Sequence, residues 1–385
     1  MDNIGIWAIT PNGVRLAERL RRAFPGASVY LSAAVGLMPA AWPAGRFERL
    51  SSAVSEQFSR HDGHLFIMST GIVVRIIAPL LRDKTVDPAV VVIDELGVHA
   101  ISLVAGHIGG ANALARRAAE AIDAVPVITT ATDINQLPAI DTLACELGLA
   151  IENPGAIKHV SMAFLTGRPV RLHDPFGLVR DCLPPETLAR DDGTTTPGEA
   201  PGPAPDIYVD DSVVDLPRQV LILRPRSLAV GIGCNRNTAA DEMKALLLKT
   251  LERFRLSPRS VFTLASVDIK QDEAGLVTLS ESLGIPLVFF DRETLKQVSA
   301  IATPSAMVEK HIGVKSVCEA AAILAARNGE LIVPKQNTKN ATAAVARISS
   351  MSSASARAGR NTSAFEPTTC SRRSPPSPDT PPTST

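Results

Sequence analysis

Aromatic residues are scarce in this chain: Phe, Trp and Tyr together make up 4% of its 385 residues. Proteins that hold single-stranded nucleic acid stack the bases on such rings, so that class is disfavoured at once. Surplus charge is missing as well. Lys plus Arg and Asp plus Glu each number 39, a formal net charge of zero, whereas a surface that grips phosphate backbones needs a basic excess. No nucleic-acid partner is expected. The five cysteines, at 145, 182, 234, 318 and 370, form no CxxC pair. That removes the usual zinc ribbons and disulfide frameworks, leaves no metal site to expect, and suits a reducing cytoplasm. No apolar run approaches the roughly 18 residues that a membrane span needs. The first residues lead into a strand without the basic and then apolar segments of a secretory leader, which also favours the cytoplasm.

What is present is apolar material: 45% of the residues are hydrophobic, enough for two or three domains, each with a core of its own. The stretch from Asp94 to Ile122, DELGVHAISLVAGHIGGANALARRAAEAI, draws the eye first. Val98, Ala100, Ser102 and Leu103 suit a strand, Gly106-His107-Ile108-Gly109-Gly110 an abrupt turn, and the alanine-rich run from Ala111 a helix. A glycine turn lets backbone come close to a ligand, and a helix start offers N–H groups to an oxygen anion. His107 adds a titratable ring, and Asp94 and Glu95 two carboxylates just upstream. The bland reading is a tight connection with a solvated histidine.

Strands are expected at Ile4–Ile9, Val29–Leu31, Leu65–Met68, Val90–Ile93 and Val125–Thr129, alternating with helices at Val14–Phe24, Phe47–Phe58, Ile72–Leu81 and Leu137–Leu147. Such alternation predicts an α/β domain over 1–132 with a mostly parallel sheet, ligands gathering at the carboxyl ends of its strands. Residues 133–225 form a less regular middle segment with a Pro/Gly-rich linker at 191–206. A second α/β domain is expected over 226–348, from the strand LAVGIGC through a helix at Ala239–Phe254 to a last strand at Ala341–Ile348. Thr238 and Asp241 resemble a capping pair. Gly231-Ile232-Gly233 invites a dinucleotide reading, but Arg236 occupies the third glycine position of that fingerprint. The Ser/Thr/Pro-rich tail, 349–385, cannot bury a core and is expected to be disordered; whether it is the remnant of a frameshifted fusion is left open.

Longer motifs then narrow the choice. STGIVVRIIAPLLRDKTVDPAVVVIDELG, SLVAGHIGGANALA and TTATDINQLPAIDTLA resemble the N-terminal half of the cobalt-precorrin-5A hydrolases of anaerobic cobalamin biosynthesis. AVGIGCNRNT, LASVDIKQDEAGL, VKSVCEAAAILAA and LIVPKQNTKNATAAVAR resemble that family's C-terminal domain, so the likeness runs over about residues 1–348. Asn237 stands where Gly is common, and Val104-Ala105 where Leu-Ser is frequent. The resemblance implies opening of a δ-lactone on ring A of a cobalt-corrin precursor, with loss of the neighbouring carbon and its methyl as acetaldehyde. The cobalt arrives with the substrate, so no protein-bound cofactor is implied.

That chemistry asks for a base, oxyanion donors and cations for the substrate's carboxylates. His107, Asp94, Glu95 and Asp133 are the catalytic candidates. For substrate binding the candidates are Arg75, Arg82, Lys84, Gly106, Gly109, Gly110, Asn112, Cys234, Arg236, Glu319, Lys335 and Lys339. Two other readings stand beside this one: a tetrapyrrole carrier without chemistry, and a nucleotide-dependent oxidoreductase. Whether the chain forms a homodimer, or hands its product to neighbouring methyltransferases of the same pathway, is left open by the sequence.

Overall fold

The computed structural model describes residues 3–35, 43–83, 86–189, 204–304 and 315–349. Two compact units emerge, one running to Thr142 and the other starting at Leu143.

The first unit opens with β1 (Ile4–Ala8), α1 (Pro11–Ala23), β2 (Ser28–Ser32), β3 (Gly45–Phe47), α2 (Leu50–Gln57), β4 (Gly63–Ile67), α3 (Thr70–Ile77) and β5 (Ala89–Ile93). It continues with β6 (His99–Val104), α4 (Ala111–Ile122), β7 (Val125–Val127) and α5 (Ala131–Ile134), and ends inside α6 (Ile140–Glu146), which runs on into the second. The strand order is β3-β2-β1-β4-β5-β6-β7. A strand period of two sends alternate residues to opposite faces. Ile4, Ile6, Leu65, Ile67, Val91 and Ile93 pack with Leu16 and Leu20 of α1 and Leu114 and Ala118 of α4. Trp7, Phe66, Val90 and Val92 face the other way, with Val54 of α2 and Val73 and Ile77 of α3. Both faces are covered, which is why these strands read as continuous apolar runs rather than as alternations.

The expected α/β architecture is present, with one departure that matters for function. β5 and β6 form an antiparallel pair, joined through the turn Asp94–Val98, while β6 and β7 are parallel to each other. The carboxyl ends of β6 and β7 therefore lie at the opposite edge of the sheet from those of β1, β4 and β5.

The second unit holds two sheets. β8 (Ala150–Ile151), β9 (Leu172–His173), β10 (Ile207–Val209) and β11 (Leu221–Arg224) form one, ordered β8-β11-β10-β9, with α7 (Ile157–Leu165) on it. The other comprises β12 (Leu228–Cys234), β13 (Val261–Val267), β14 (Leu287–Phe290), β15 (Glu330–Asn337) and β16 (Ala341–Arg347) in the order β14-β13-β12-β16-β15. Its helices are α8 (Ala240–Arg253), α9 (Ala274–Leu283), α10 (Arg292–Lys296) and α11 (Val317–Ala325). The fully buried Asp211 links the two sheets, accepting from Arg347 Nη2 at 2.6 Å and Nε at 2.8 Å and from Ser227 Oγ at 2.6 Å. The capping pair expected at Thr238 does not form: Ala239 caps α8, and the Thr238 hydroxyl donates to the carbonyl of Asn235. The linker expected at 191–206 falls mostly, and the tail almost wholly, outside the described residues.

Candidate active site

The turn between β6 and α4 is built by its glycines. Gly110, at φ +83, caps the helix in a conformation that L side chains rarely adopt, and a Cβ on Gly109 would lie 2.3 Å from that of Ala105. The first N–H groups of α4 are consumed locally: Ala111 donates to Ala105 O and Asn112 to Gly106 O, each at 3.0 Å, and Gly110 donates to His107 O at 2.8 Å. The helix start thus offers fewer open donors than the sequence suggested, with the exposed Ala113 N–H left without a partner among the described residues. The N–H groups of His107, Ile108 and Gly109 also have no partner among the described residues, so further open donors lie in the turn before the helix.

His107 is fixed rather than solvated. Its Nε2 lies 2.9 Å from Asp133 Oδ2 and 3.1 Å from the Thr132 hydroxyl, and its Nδ1 lies 3.4 Å from Asp141 Oδ2. Asp133 also receives Arg116 Nη2 at 2.7 Å and Asn112 Nδ2 at 2.9 Å. Asn112 donates to Thr130 Oγ1 at 3.0 Å and accepts from Ser102 Oγ at 2.6 Å. Being buried and fully engaged, Asn112 supports the site from behind instead of binding substrate. The two central groups are pushed apart in acidity. The Asp141 carboxylate beside His107 is the largest influence on the ring and, with Asp133, outweighs burial and raises its pKa. Burial would raise Asp133, but its bonds from Arg116 and His107 prevail and hold it below the ordinary carboxylate range. The ring is thus biased toward holding its proton and Asp133 toward losing its own, so the pair divides acid from base.

Asp94 and Glu95 do not join them. They follow β5, at the far edge of the sheet, about 17–20 Å away along a strand of β6's length. Asp94 accepts from the backbone of Leu96 (2.9 Å), Val98 (3.3 Å) and His99, which makes it the clamp of the β5–β6 turn. Burial pushes its carboxyl up, yet those donors win and lower its pKa. Glu95 accepts from Thr10 Oγ1 at 2.7 Å beside a cavity of about 300 Å³ that Ser69 and Thr70 also line. A larger cavity, about 440 Å³, lies in the second unit against His159, Arg168 and Arg171. Neither cavity touches His107. Among the described residues, His107 is where an imidazole and two carboxylates meet within a glycine turn.

The remaining candidates are dispersed. Arg75 and Arg82 are exposed on the first unit, and Lys84 lies outside the described residues. In the second unit Arg236 pairs with Asp272 at 2.6 Å, and Lys335 Nζ reaches Thr303 O at 3.3 Å, while Lys339 is exposed. Glu319 is wholly buried and takes the backbone N–H of Thr303 (3.0 Å) and Lys335 (2.8 Å), so it ties segments together and no substrate reaches it. Burial pushes the Cys234 and Cys318 thiols up, away from the thiolate that a nucleophile needs. The dinucleotide reading also loses its basis: a Cβ on Gly231 would stand 1.8 Å from the Cys318 carbonyl, so this glycine admits α11, not a pyrophosphate. Among the described residues, no cluster of three or more His, Cys, Asp or Glu is arranged to hold a metal ion.

Sequence reasoning missed Asp141, Arg116, Thr130 and Thr132. Asp141 and Thr132 stand inside the motif TTATDINQLPAIDTLA, which was the available signal.

Comparison with known proteins agrees with these motifs. The chain matches the family models for the cobalamin synthesis G N-terminal region over residues 52–133, the cobalamin biosynthesis central region over 138–225 and the cobalamin synthesis G C-terminus over 228–346. It is 34% identical over 347 residues to the cobalt-precorrin-5A hydrolase of Salmonella typhimurium, covering 86% of this chain and 93% of that one. The enzyme of that name from Priestia megaterium is 33% identical over 363 residues, covering 89% and 94%. Among solved structures, a cobalamin biosynthesis protein G homologue from Sulfolobus solfataricus is 21% identical, spanning 90% of this chain and 97% of that one at a TM-score of 0.33. Identity at this level across nearly the whole of two named hydrolases settles the kinship: the chain belongs to the cobalt-precorrin-5A hydrolase family, the cobalamin synthesis G proteins.

Proposed function

We propose that this chain hydrolyses the ring A δ-lactone of cobalt-precorrin-5A and releases acetaldehyde, leaving cobalt-precorrin-5B. The observation that carries the assignment of the site is the pair His107 Nε2–Asp133 Oδ2, 2.9 Å apart, held in a glycine turn. Cobalt enters as part of the substrate. Asp133, ionised, is suited to take a proton from the attacking water, and His107 to give one to the departing alkoxide. The N–H groups of His107, Ile108 and Gly109, without partners among the described residues, belong to the same turn and are suited to a tetrahedral oxyanion. Arg116, half exposed beside Asp133, is the nearest cation for a substrate carboxylate. Arg75 and Arg82, exposed on the same unit, are further cations for the acidic arms.

The reading is tested with purified chain and cobalt-precorrin-5A in ¹⁸O-labelled water. Hydrolysis at the lactone carbonyl places one label in the new side-chain carboxylate of the corrin product, and acetaldehyde accumulates. A carrier returns the substrate with its lactone closed and unlabelled.

A further inference from the structure

His107 is bracketed by carboxylates from two different elements. Asp133 belongs to α5 and meets Nε2; Asp141 belongs to α6 and meets Nδ1. The other charged group at the cluster is Arg116 of α4, on the second oxygen of Asp133. Neutral partners complete the set: Thr132 at Nε2, and Asn112 and Thr130 behind Asp133. A neutral imidazole has one N–H and one lone pair, so it would turn its lone pair on one of the two carboxylates. An imidazolium has a proton for each. With Arg116 included, two anions then face two cations and the cluster is balanced.

Of the three central side chains Asp141 is the least exposed, 8% against 19% for His107 and 18% for Asp133. At 3.4 Å and with so little exposure, its charge is weakly screened from the ring. Its second oxygen is anchored by the N–H of Thr142 at 3.0 Å, which fixes the direction of the first. Asp133, by contrast, has other donors and a more accessible face, so it can exchange His107 for a substrate water. The two carboxylates are thus unequal: one holds the ring, the other works with it.

We propose that Asp141 is a positioning residue that keeps His107 as an imidazolium with its Nε2–H directed at Asp133. The catalytic cycle then opens with the acid on His107 and the base on Asp133. The inference rests on the hydrolase reading above and fixes the order of its proton transfers. Asp133 takes a proton from water as the oxygen bonds to the lactone carbonyl carbon. The tetrahedral adduct collapses, the carbonyl carbon–ring oxygen bond breaks, and His107 gives its Nε2 proton to the departing alkoxide. Neutral His107 next takes the proton back from that alcohol. The carbon–carbon bond breaks, its electron pair passes into the corrin, and acetaldehyde departs. Asp133 delivers its proton to the corrin carbon left behind, and both groups return to their starting state. One water is consumed, one acid and one aldehyde appear, and no oxidant or reductant is needed.

The test compares full-length wild type with Asp141→Asn, using ¹⁵N-histidine labelling and identifying the His107 signal by its absence in His107→Gln. In wild type His107 should titrate above an ordinary histidine. In Asp141→Asn that titration should fall by about one unit or more, as when an opposite charge is withdrawn. The alkaline limb of kcat for acetaldehyde release should move to lower pH by the same amount, with KM unchanged and activity recovering at acid pH. Asp141→Glu should restore part of both shifts, and Asp141→Ser, smaller and neutral, replaces the amide variant should that one not fold. A His107 titration that is the same with and without the Asp141 carboxylate overturns the proposal, as does an alkaline limb that stays in place while kcat falls. If even wild type releases no acetaldehyde, the hydrolase reading fails, whereas the titration still decides what Asp141 does.

Discussion

Between two glycine-rich flanks His107 reads, in sequence, as a side chain held by little, whose loss would cost less than about 1 kcal/mol. In the structure it is half-buried and bridges α5 to α6 through two carboxylates. His107→Gln should therefore destabilise the first unit by about 1–3 kcal/mol, since the buried Asp141 and the half-buried Asp133 lose their partner. The pH dependence follows from the direction of its shift. The folded-state pKa of His107 is raised, so the stability it supplies is complete below the unfolded-state value and is lost as pH rises through the folded one. Urea unfolding of both proteins should show the gap between them shrinking as pH rises from the ordinary histidine value through the raised folded one; a gap that is constant or widens would contradict the raised pKa. The histidine and its turn were legible in the sequence because glycines and a titratable group stand together. Asp141 and Arg116 were not, since spacing along the chain does not say which later helix returns to a given turn.

Strand and helix alternation was legible for the same reason that the core exists: both faces of the first sheet are buried, and apolar runs mark its strands. The direction of β6 was not. Asp94-Glu95-Leu96-Gly97 makes a tight reversal, with Gly97 at φ +70 and Asp94 clamping three N–H groups, and that reversal separates the acids from His107. Asp94→Ala should consequently destabilise the β5–β6 turn by roughly 1–3 kcal/mol while leaving kcat within a few-fold, measured by unfolding and by acetaldehyde release. A second element-level outcome concerns α11 on β12. Gly231→Ala forces a methyl against the Cys318 carbonyl and should cost about 3 kcal/mol or more, seen as a lower urea midpoint of the second unit. The Gly-Ile-Gly pattern was visible in the sequence, but whether its closeness served a ligand or a helix depended on where α11 packs.

Across the molecule, the N-terminal and C-terminal sheets were readable from pattern, whereas the middle sheet was less so because β8 and β9 are only two residues long each. Its attachment to the C-terminal sheet includes an ion pair, buried at Asp211 and partly exposed at Arg347, that no local pattern announces. Asp211→Ala strands Arg347 and should cost about 3–5 kcal/mol, with both sheets of the second unit losing protection from hydrogen exchange together. In the first unit the opposite pH behaviour is expected from His61, whose pKa burial lowers against the smaller effect of Asp62. As pH falls from the ordinary histidine value through the folded one, the unfolded chain binds a proton the folded chain refuses, so this contribution weakens on acidification. Above all these stands the claim that the turn at His107 is where the family's reaction occurs in this chain. The most direct measurement is acetaldehyde release at saturating cobalt-precorrin-5A by wild type, His107→Gln and Asp133→Asn, each checked for a folded circular dichroism spectrum. The account predicts stoichiometric release by wild type and a fall in kcat of roughly 10²-fold or more in each variant while substrate still binds; folded variants that both turn over at the wild-type rate would contradict it.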